Sequence, residues 1–91
     1  HAVEGLTKSL SVELAPYNIR VNSVCPTYVN TSLVKKTMED PKSKKYFLDR
    51  IPLGRMAEVR DVENAVIYLC SDMSSMVTGI SLMVDGGWVA Q

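Results

Sequence analysis

Residues 20–32 read RVNSVCPTYVNTS, and this stretch decides how the rest of the chain is interpreted. Alternating β-branched residues lead up to Pro26, which predicts a strand over residues 19–25. A polar loop with two threonines follows the proline. In open parallel sheets, ligands bind beyond the carboxyl ends of the strands. The residues alone therefore leave two interpretations open: an ordinary connecting loop, or a loop that a strand delivers to a ligand.

The backbone after Pro26 has the chemistry to bind a carboxamide. Because proline restricts the direction of the chain, we expect the following residues to stay extended. An extended residue such as Val29 offers both an N–H donor and a C=O acceptor, and an amide requires one of each. Thr31 adds a hydroxyl near the start of the next predicted helix, where free N–H groups favour phosphate.

A helix is predicted over residues 2–15, and Pro16 ends it. Large apolar residues share one face of this helix, namely Val3, Leu6, Leu10 and Leu14. Small residues share a second face, namely Ala2, Gly5, Ser9 and Val12. A helix with two such faces is expected to be buried on two sides.

Further helices are predicted over residues 31–38, 42–50 and 59–71, and a second strand over residues 80–84, which DGG ends. The core face predicted for the helix at 59–71 comprises Val59, Val62, Ala65, Val66, Leu69 and Cys70. This alternation indicates a parallel α/β sheet with covering helices. Two strands are too few for a stable parallel sheet, and the first helix lacks a capping residue. We therefore expect the chain to be part of a longer α/β domain.

Composition narrows the function classes. The chain has 91 residues and a formal net charge of zero, which allows one small domain and argues against nucleic-acid binding. The apolar runs are too short to cross a membrane. Cys25 and Cys70 are expected to be reduced and buried, as is typical of cytoplasmic proteins. With the single His1, they are too few for a metal site.

Three ordered segments carry a resemblance to a known family. Residues 1–26, HAVEGLTKSLSVELAPYNIRVNSVCP, resemble the helix after the catalytic Tyr-x-x-x-Lys of the short-chain dehydrogenases/reductases, followed by their next sheet strand. Residues 51–72, IPLGRMAEVRDVENAVIYLCSD, and residues 78–88, TGISLMVDGGW, resemble the closing helix and last strand. Pro26-Thr27 replaces the family's usual Pro-Gly. The ordered segments PTYVNTSLVKKTMEDP, RIPLGRMAEV and NAVIYLCSD are most similar to the dicarbonyl/L-xylulose reductase subfamily, which also favours Pro-Thr at that place.

The resemblance implies a fold and a cofactor site. The fold would be a doubly wound parallel-sheet (Rossmann-type) α/β domain, with residues 1–91 as its C-terminal portion. Pro26 and Thr27 would line the nicotinamide pocket of NADP, or alternatively of NAD. Val29 would supply the paired backbone hydrogen bonds, and Thr31 would offer its hydroxyl to the carboxamide or the pyrophosphate.

Other roles implied by the resemblance lie around this loop and outside the chain. Asn22 would anchor the strand, and residues 32–50 would cover the substrate. The family's catalytic serine, tyrosine and lysine and its phosphate loop would precede His1. No residue of the chain is therefore predicted to be catalytic, and we expect the chain alone to be inactive.

The resemblance also implies an activity, a location and an assembly. The whole protein would be a cytoplasmic NADP(H)-dependent oxidoreductase that reduces a ketone, a sugar or an α-dicarbonyl compound. Two alternatives stay open: another short-chain dehydrogenase, such as a polyol dehydrogenase or 3-oxoacyl reductase, and a non-catalytic oligomerising scaffold. Ile67 and Tyr68 point away from the predicted core face of their helix. We expect them either at an interface of a homotetramer or beneath the tail that carries Trp88.

Overall fold

The computed structural model describes residues 1–91, and its elements follow the predicted order. The α-helices are α1 (Ala2–Leu14), α2 (Ser32–Thr37), α3 (Pro41–Asp49) and α4 (Val59–Cys70). The strands are β1 (Ser23–Pro26) and β2 (Ser81–Val84). Short 3-10 turns cover Ala15–Tyr17, Asp72–Ser74 and Trp88–Ala90. None of the helices is both long enough and apolar enough to cross a membrane.

The two strands form one parallel sheet, as predicted. The Ser23 N–H donates to the Ile80 C=O at 3.0 Å, and the Thr27 N–H donates to the Val84 C=O at 3.4 Å. Both strands therefore advance in the same direction, by four residues each between these bonds. The first strand starts later than the predicted 19–25 and ends at Pro26. Ahead of it, side chains accept from backbone N–H groups, since the Val21 N–H donates to the Thr78 Oγ1 at 3.1 Å and the Ile80 N–H donates to the Asn22 Oδ1 at 3.2 Å.

The chain divides into two compact units. The first unit comprises residues 1–25 and 64–83, and the second comprises residues 26–63 and 84–91. The first contains α1 and the carboxyl-terminal part of α4, and the second contains α2 and α3.

In the first unit, the prediction of a large apolar face on α1 is only partly correct, since Leu10 and Leu14 are half-buried. Val3 and Leu6 are 63% and 60% exposed, whereas Thr7 and Ser11 are buried. The reason is a close approach, because a Cβ atom on Gly79 would lie 2.7 Å from the Ser11 Oγ. The Gly79 backbone therefore lies so close to α1 that only a small side chain fits at position 11. The Ser11 hydroxyl satisfies its own polarity by donating to the Lys8 C=O at 2.7 Å.

The core face predicted for α4 is only partly correct. Leu69 is buried and Val62 and Ala65 are half-buried, while the others are exposed, namely Val59, Val66 and Cys70. The covered stripe is therefore narrower than the apolar stripe of the sequence. Cys25 is half-buried, and both cysteines are free. The prediction that both are buried is wrong, because Cys70 lies on the uncovered side of α4.

Polar side chains satisfy the carboxyl end of α4, within the first unit. The Arg20 guanidinium donates to the C=O groups of Leu69, at 2.8 Å, and Val77, at 3.2 Å. The Ser74 hydroxyl is fully buried and lies 2.8 Å from the Tyr68 C=O. These groups take the place of the partners that the last carbonyls of every helix lack.

The second unit is built around a tight glycine turn. Ile51 is its buried apolar residue, at 4% exposure. The predicted turn at DGG is confirmed, with Gly86 and Gly87 at φ +62° and +97°. The Asp85 carboxylate accepts from the N–H of Gly87 at 3.0 Å and of Val89 at 3.1 Å. A Cβ on Gly86 would lie 2.6 Å from the Ile51 Cγ2, so the turn presses directly on this core residue.

The close approach at Gly86 predicts a difference between two glycine substitutions in the full-length protein. Gly54 also has a positive φ, of +76°, but nothing lies within 4 Å of its added Cβ. Gly54→Ala is expected to cost about 1 kcal/mol of unfolding free energy, from backbone strain alone. Gly86→Ala is expected to cost about 3 kcal/mol, because overpacking against Ile51 adds to the strain. Denaturant unfolding measures both, and equal losses would contradict the proposed contact.

Candidate functional site

The loop after β1 begins with Pro26 and Thr27. Pro26 is the last residue of the strand and is exposed. The Thr27 N–H is already hydrogen-bonded, because it donates to the Val84 C=O at 3.4 Å. The threonine side chain is half-buried. These two residues therefore lie at the carboxyl end of β1, where the family resemblance implies a nicotinamide pocket.

Val29 forms an isolated parallel bridge with Ala57. The hydrogen bonds of this bridge belong to its neighbours: the Asn30 N–H donates to the Ala57 C=O at 2.7 Å, and the Ala57 N–H donates to the Tyr28 C=O at 3.0 Å. In a parallel pair, the residue between these bonds directs its own N–H and C=O to the opposite side. Both polar backbone groups of Val29 therefore face away from Ala57.

The N–H and C=O groups of Val29 differ in the hydrogen bonds they make within the chain. The C=O accepts from the Thr31 N–H at 2.7 Å, in a three-residue turn. A carbonyl oxygen has two lone pairs, so it can accept a second hydrogen bond. The Val29 N–H has no hydrogen-bond partner within the chain. The extended segment predicted from the sequence thus retains one free donor and one partly free acceptor.

Thr31 starts α2 as its N-cap residue. Its Oγ1 accepts from the Val34 N–H at 3.4 Å, and its backbone is extended. The residue is exposed, and its hydroxyl proton stays available. The cap explains why the helix starts here, since threonine satisfies one of the unpaired N–H groups of the first turn.

Asn22 anchors the approach to β1 within the first unit. Its Nδ2 donates to the Val77 C=O at 2.9 Å, and its Oδ1 accepts from the Ile80 N–H at 3.2 Å. One side chain thereby bonds twice to the segment that leads into β2. The predicted anchoring of the strand is confirmed.

A second chain segment fixes the far side of the loop. The Asn30 Nδ2 donates to the Glu58 carboxylate at 3.1 Å. The Glu58 N–H donates to the Asp61 Oδ2 at 2.8 Å, and the Arg55 guanidinium lies 3.1 Å from the same oxygen. The hydrogen bond from Glu58, and then the Arg55 guanidinium, hold the pKa of the Asp61 carboxyl below its ordinary value. Asp61 is therefore charged at neutral pH and supports the start of α4.

Three aromatic rings from distant segments meet beside this loop. The Tyr28 ring centroid lies 4.5 Å from that of Phe47 on α3, and 5.5 Å from that of Trp88. Sequence reasoning missed this cluster, because no periodicity links three residues on three separate segments. Composition gave the only signal, since Phe47 and Trp88 are the sole phenylalanine and the sole tryptophan of the chain.

The lysines of α2 and α3 are exposed, namely Lys35, Lys36, Lys42, Lys44 and Lys45. Their side chains form a solvated surface. The only ion pair among them joins Lys45 to Asp49 at 3.8 Å, with both side chains largely in water. No group of three or more His, Cys, Asp or Glu side chains could hold a metal ion.

Residues 1–89 match the family model described as enoyl-(acyl carrier protein) reductase. The chain belongs to the short-chain dehydrogenase/reductase family. Among its relatives, it is 51% identical to L-xylulose reductase from Bos taurus over 89 residues, which are 98% of this chain and 36% of that protein. The chain thus spans about a third of the length of the curated relatives it matches.

Solved structures of related proteins share the fold of this chain. A protein from Agrobacterium tumefaciens with bound NADP is 40% identical, with a TM-score of 0.94 over 100% of this chain and 37% of that protein. A 4-hydroxyisoleucine dehydrogenase complexed with NADH is 32% identical, with a TM-score of 0.95 over 100% of this chain and 37% of that protein. The prediction of part of a Rossmann-type, doubly wound parallel-sheet domain is confirmed.

Proposed function

We propose that residues 1–91 form the C-terminal portion of a single short-chain dehydrogenase/reductase domain and carry one side of its nicotinamide site. The observation that carries this proposal is the outward direction of the Val29 N–H and C=O, set by the bridge to Ala57. A carboxamide has one acceptor oxygen and one donor amine. The Val29 N–H, which bonds nothing within the chain, fits the oxygen, and the Val29 C=O fits the amine.

The neighbouring residues complete this side of the site. Pro26 and Thr27 line it at the end of β1, and the Thr31 hydroxyl is available to the carboxamide or the pyrophosphate. A bound nicotinamide cofactor supplies a hydride from its C4 atom to a carbonyl carbon. We propose NADP as that cofactor, with NAD as the alternative, because solved relatives hold NADP and NADH.

We propose that the whole protein reduces a ketone, a sugar or an α-dicarbonyl compound, in the manner of an L-xylulose reductase. The identity of 51% to an enzyme of that name supports this substrate class over the alternatives, a polyol dehydrogenase or a 3-oxoacyl reductase. The catalytic serine, tyrosine and lysine of the family would be supplied by the remainder of the domain. A cytoplasmic location and the inactivity of the 91-residue chain alone stay predictions.

An activity panel tests the proposed reaction. We expect the full-length protein to oxidise NADPH in the presence of L-xylulose and diacetyl, with lower kcat/KM for an acetoacetyl thioester, and the 91-residue chain to show no turnover. Absorbance at the nicotinamide band measures each rate. A preference for the thioester would favour the 3-oxoacyl alternative. A folded full-length protein that turns over none of these compounds would favour the non-catalytic scaffold.

The role proposed for the Val29 backbone predicts a contrast between two substitutions in the full-length protein. Val29→Ala keeps the N–H and C=O and should leave the Kd for NADPH within about twofold. Val29→Pro removes the N–H and should raise the Kd by about tenfold or more, since a lost hydrogen bond with an unpaired partner costs about 1–3 kcal/mol. Calorimetric titration measures both, with thermal unfolding as the control for loop distortion. Equal affinities would contradict this role.

We also propose that the whole protein is a homotetramer. Ile67 and Tyr68 on α4 are 64% and 38% exposed, and Met83 of β2 is 40% exposed. Small residues of α1 are exposed as well, namely Ala2, Gly5, Ser9 and Val12. Apolar surface of this extent supports an interface with a second copy, and the small residues would permit close approach of two helices.

The proposed interface predicts that charge on α4 disrupts the assembly. Ile67→Lys/Tyr68→Asp in the full-length protein should lower the mass measured by size exclusion with light scattering at low micromolar concentration. Leu33→Lys is the matched control, because Leu33 is 77% exposed on α2 and lies outside the proposed interface. A double variant that folds and keeps the wild-type mass would refute this interface.

A further inference from the structure

We infer that Tyr28 is a positioning residue, whose ring ties α3 to the loop that carries Val29. This inference rests on the proposed function, in which the loop holds the cofactor, and on the substrate-covering role that the family resemblance implies for residues 32–50. Two independent constraints meet at Tyr28. Its backbone C=O accepts from the Ala57 N–H at 3.0 Å, which fixes the loop. Its ring contacts Phe47 of α3 at a centroid distance of 4.5 Å, in a tilted geometry.

Phe47 connects this contact to the carboxyl end of α3. Its ring lies edge-on to that of Tyr46, at 5.2 Å. The Arg50 guanidinium lies 3.6 Å above the Tyr46 ring and donates to the Tyr46 C=O at 2.9 Å. The last turn of α3 is therefore one connected group of side chains, and within it Phe47 contacts Tyr28.

The tail on the other side of Tyr28 is held in place by its own contacts. The Trp88 ring centroid lies 5.5 Å from that of Tyr28. Trp88 follows the turn in which the Gly86 backbone closely approaches the Ile51 side chain. The Gln91 Nε2 donates to the Arg50 C=O at 2.6 Å, so the tail also bonds to the residue that ends α3. Tyr28 is the ring that touches both Phe47 and Trp88.

The position of Tyr28 gives these contacts a functional meaning. It lies directly between Thr27 and Val29, the two residues proposed to face the nicotinamide. A displacement of α3 that separates Phe47 from Tyr28 would therefore uncover the substrate side while leaving the Val29 bridge intact. We accordingly assign the ring to the placement of the substrate cover, and the backbone of the same loop to the cofactor.

Three substitutions in the full-length protein test this assignment. Tyr28→Ala removes the ring, Tyr28→Phe keeps it, and Phe47→Leu removes the opposite ring while retaining apolar volume. Tyr17→Ala is the matched control, because Tyr17 is 73% exposed in the turn after α1 and its ring meets no other aromatic ring. Limited trypsin digestion well below the unfolding temperature reports on α3 directly, since Lys42, Lys44 and Lys45 are exposed on that helix.

Tyr28→Ala and Phe47→Leu are each expected to speed cleavage at these lysines and to raise the KM for the carbonyl substrate by about tenfold, the order of effect of losing tilted aromatic contacts. The kcat and the Kd for NADPH should stay within about twofold. Tyr28→Phe and Tyr17→Ala should match the wild type in every measurement.

Trypsin digestion tests the positioning role of Tyr28, and the kinetic measurements test the proposed function separately. If Tyr28→Ala and Phe47→Leu are cleaved in α3 at the wild-type rate, the positioning role is wrong, whatever the activity. A rise in the NADPH Kd as large as the rise in KM would also overturn it, because the ring would then serve the cofactor. If the wild type reduces no carbonyl compound, the proposed function fails, and the trypsin arm still decides whether Tyr28 holds α3. Should Tyr28→Ala not fold, Phe47→Leu carries the same decision.

Discussion

The parallel bridge between Val29 and Ala57 is the constraint on which the candidate site depends. It uses the backbone groups of Tyr28 and Asn30, and by doing so it leaves those of Val29 directed outward. The loop after a strand usually satisfies its polar groups with water or with itself. Here a second segment holds it, and the Asn30 side chain reinforces that contact by bonding to Glu58. A donor and an acceptor are thus set in place by the fold before any ligand arrives.

Close backbone approach shapes both compact units. In the first, Gly79 lies against Ser11, and in the second, Gly86 lies against Ile51. At such distances the absence of a Cβ matters more than hydrophobicity, because a methyl group at 2.6–2.7 Å has no room. At the first contact, the buried Ser11 hydroxyl donates to the Lys8 C=O at 2.7 Å. The fully buried Ser74 hydroxyl at the end of α4 also has a partner, the Tyr68 C=O at 2.8 Å.

Family membership and partial coverage together support a proposed division of roles between this chain and the remainder of the domain. It belongs to the short-chain dehydrogenases/reductases and spans about a third of the length of its curated relatives. In the proposed division of roles, loop 26–31 of this chain holds the nicotinamide and α3 covers the substrate. Under the same proposal, the proton donor and the phosphate loop would belong to the remainder of the domain. The open N–H donor of Val29 supports that division.

The sequence by itself determined the elements, their order and the loop proposed to carry the site. Pro16 and Pro26 end a helix and a strand for local steric reasons, and the periodicity of residues 59–71 sufficed to predict α4. Tertiary structure alone decided which sides of α1 and α4 are covered. Val3 and Leu6 satisfy the same periodicity as a core face, yet Thr7 and Ser11 are buried, because the neighbouring backbone at Gly79 comes too close for a large side chain. It also decided that Tyr28, Phe47 and Trp88 share one cluster, since contact between residues far apart in the chain depends on how the loops fold back, and no local pattern records it.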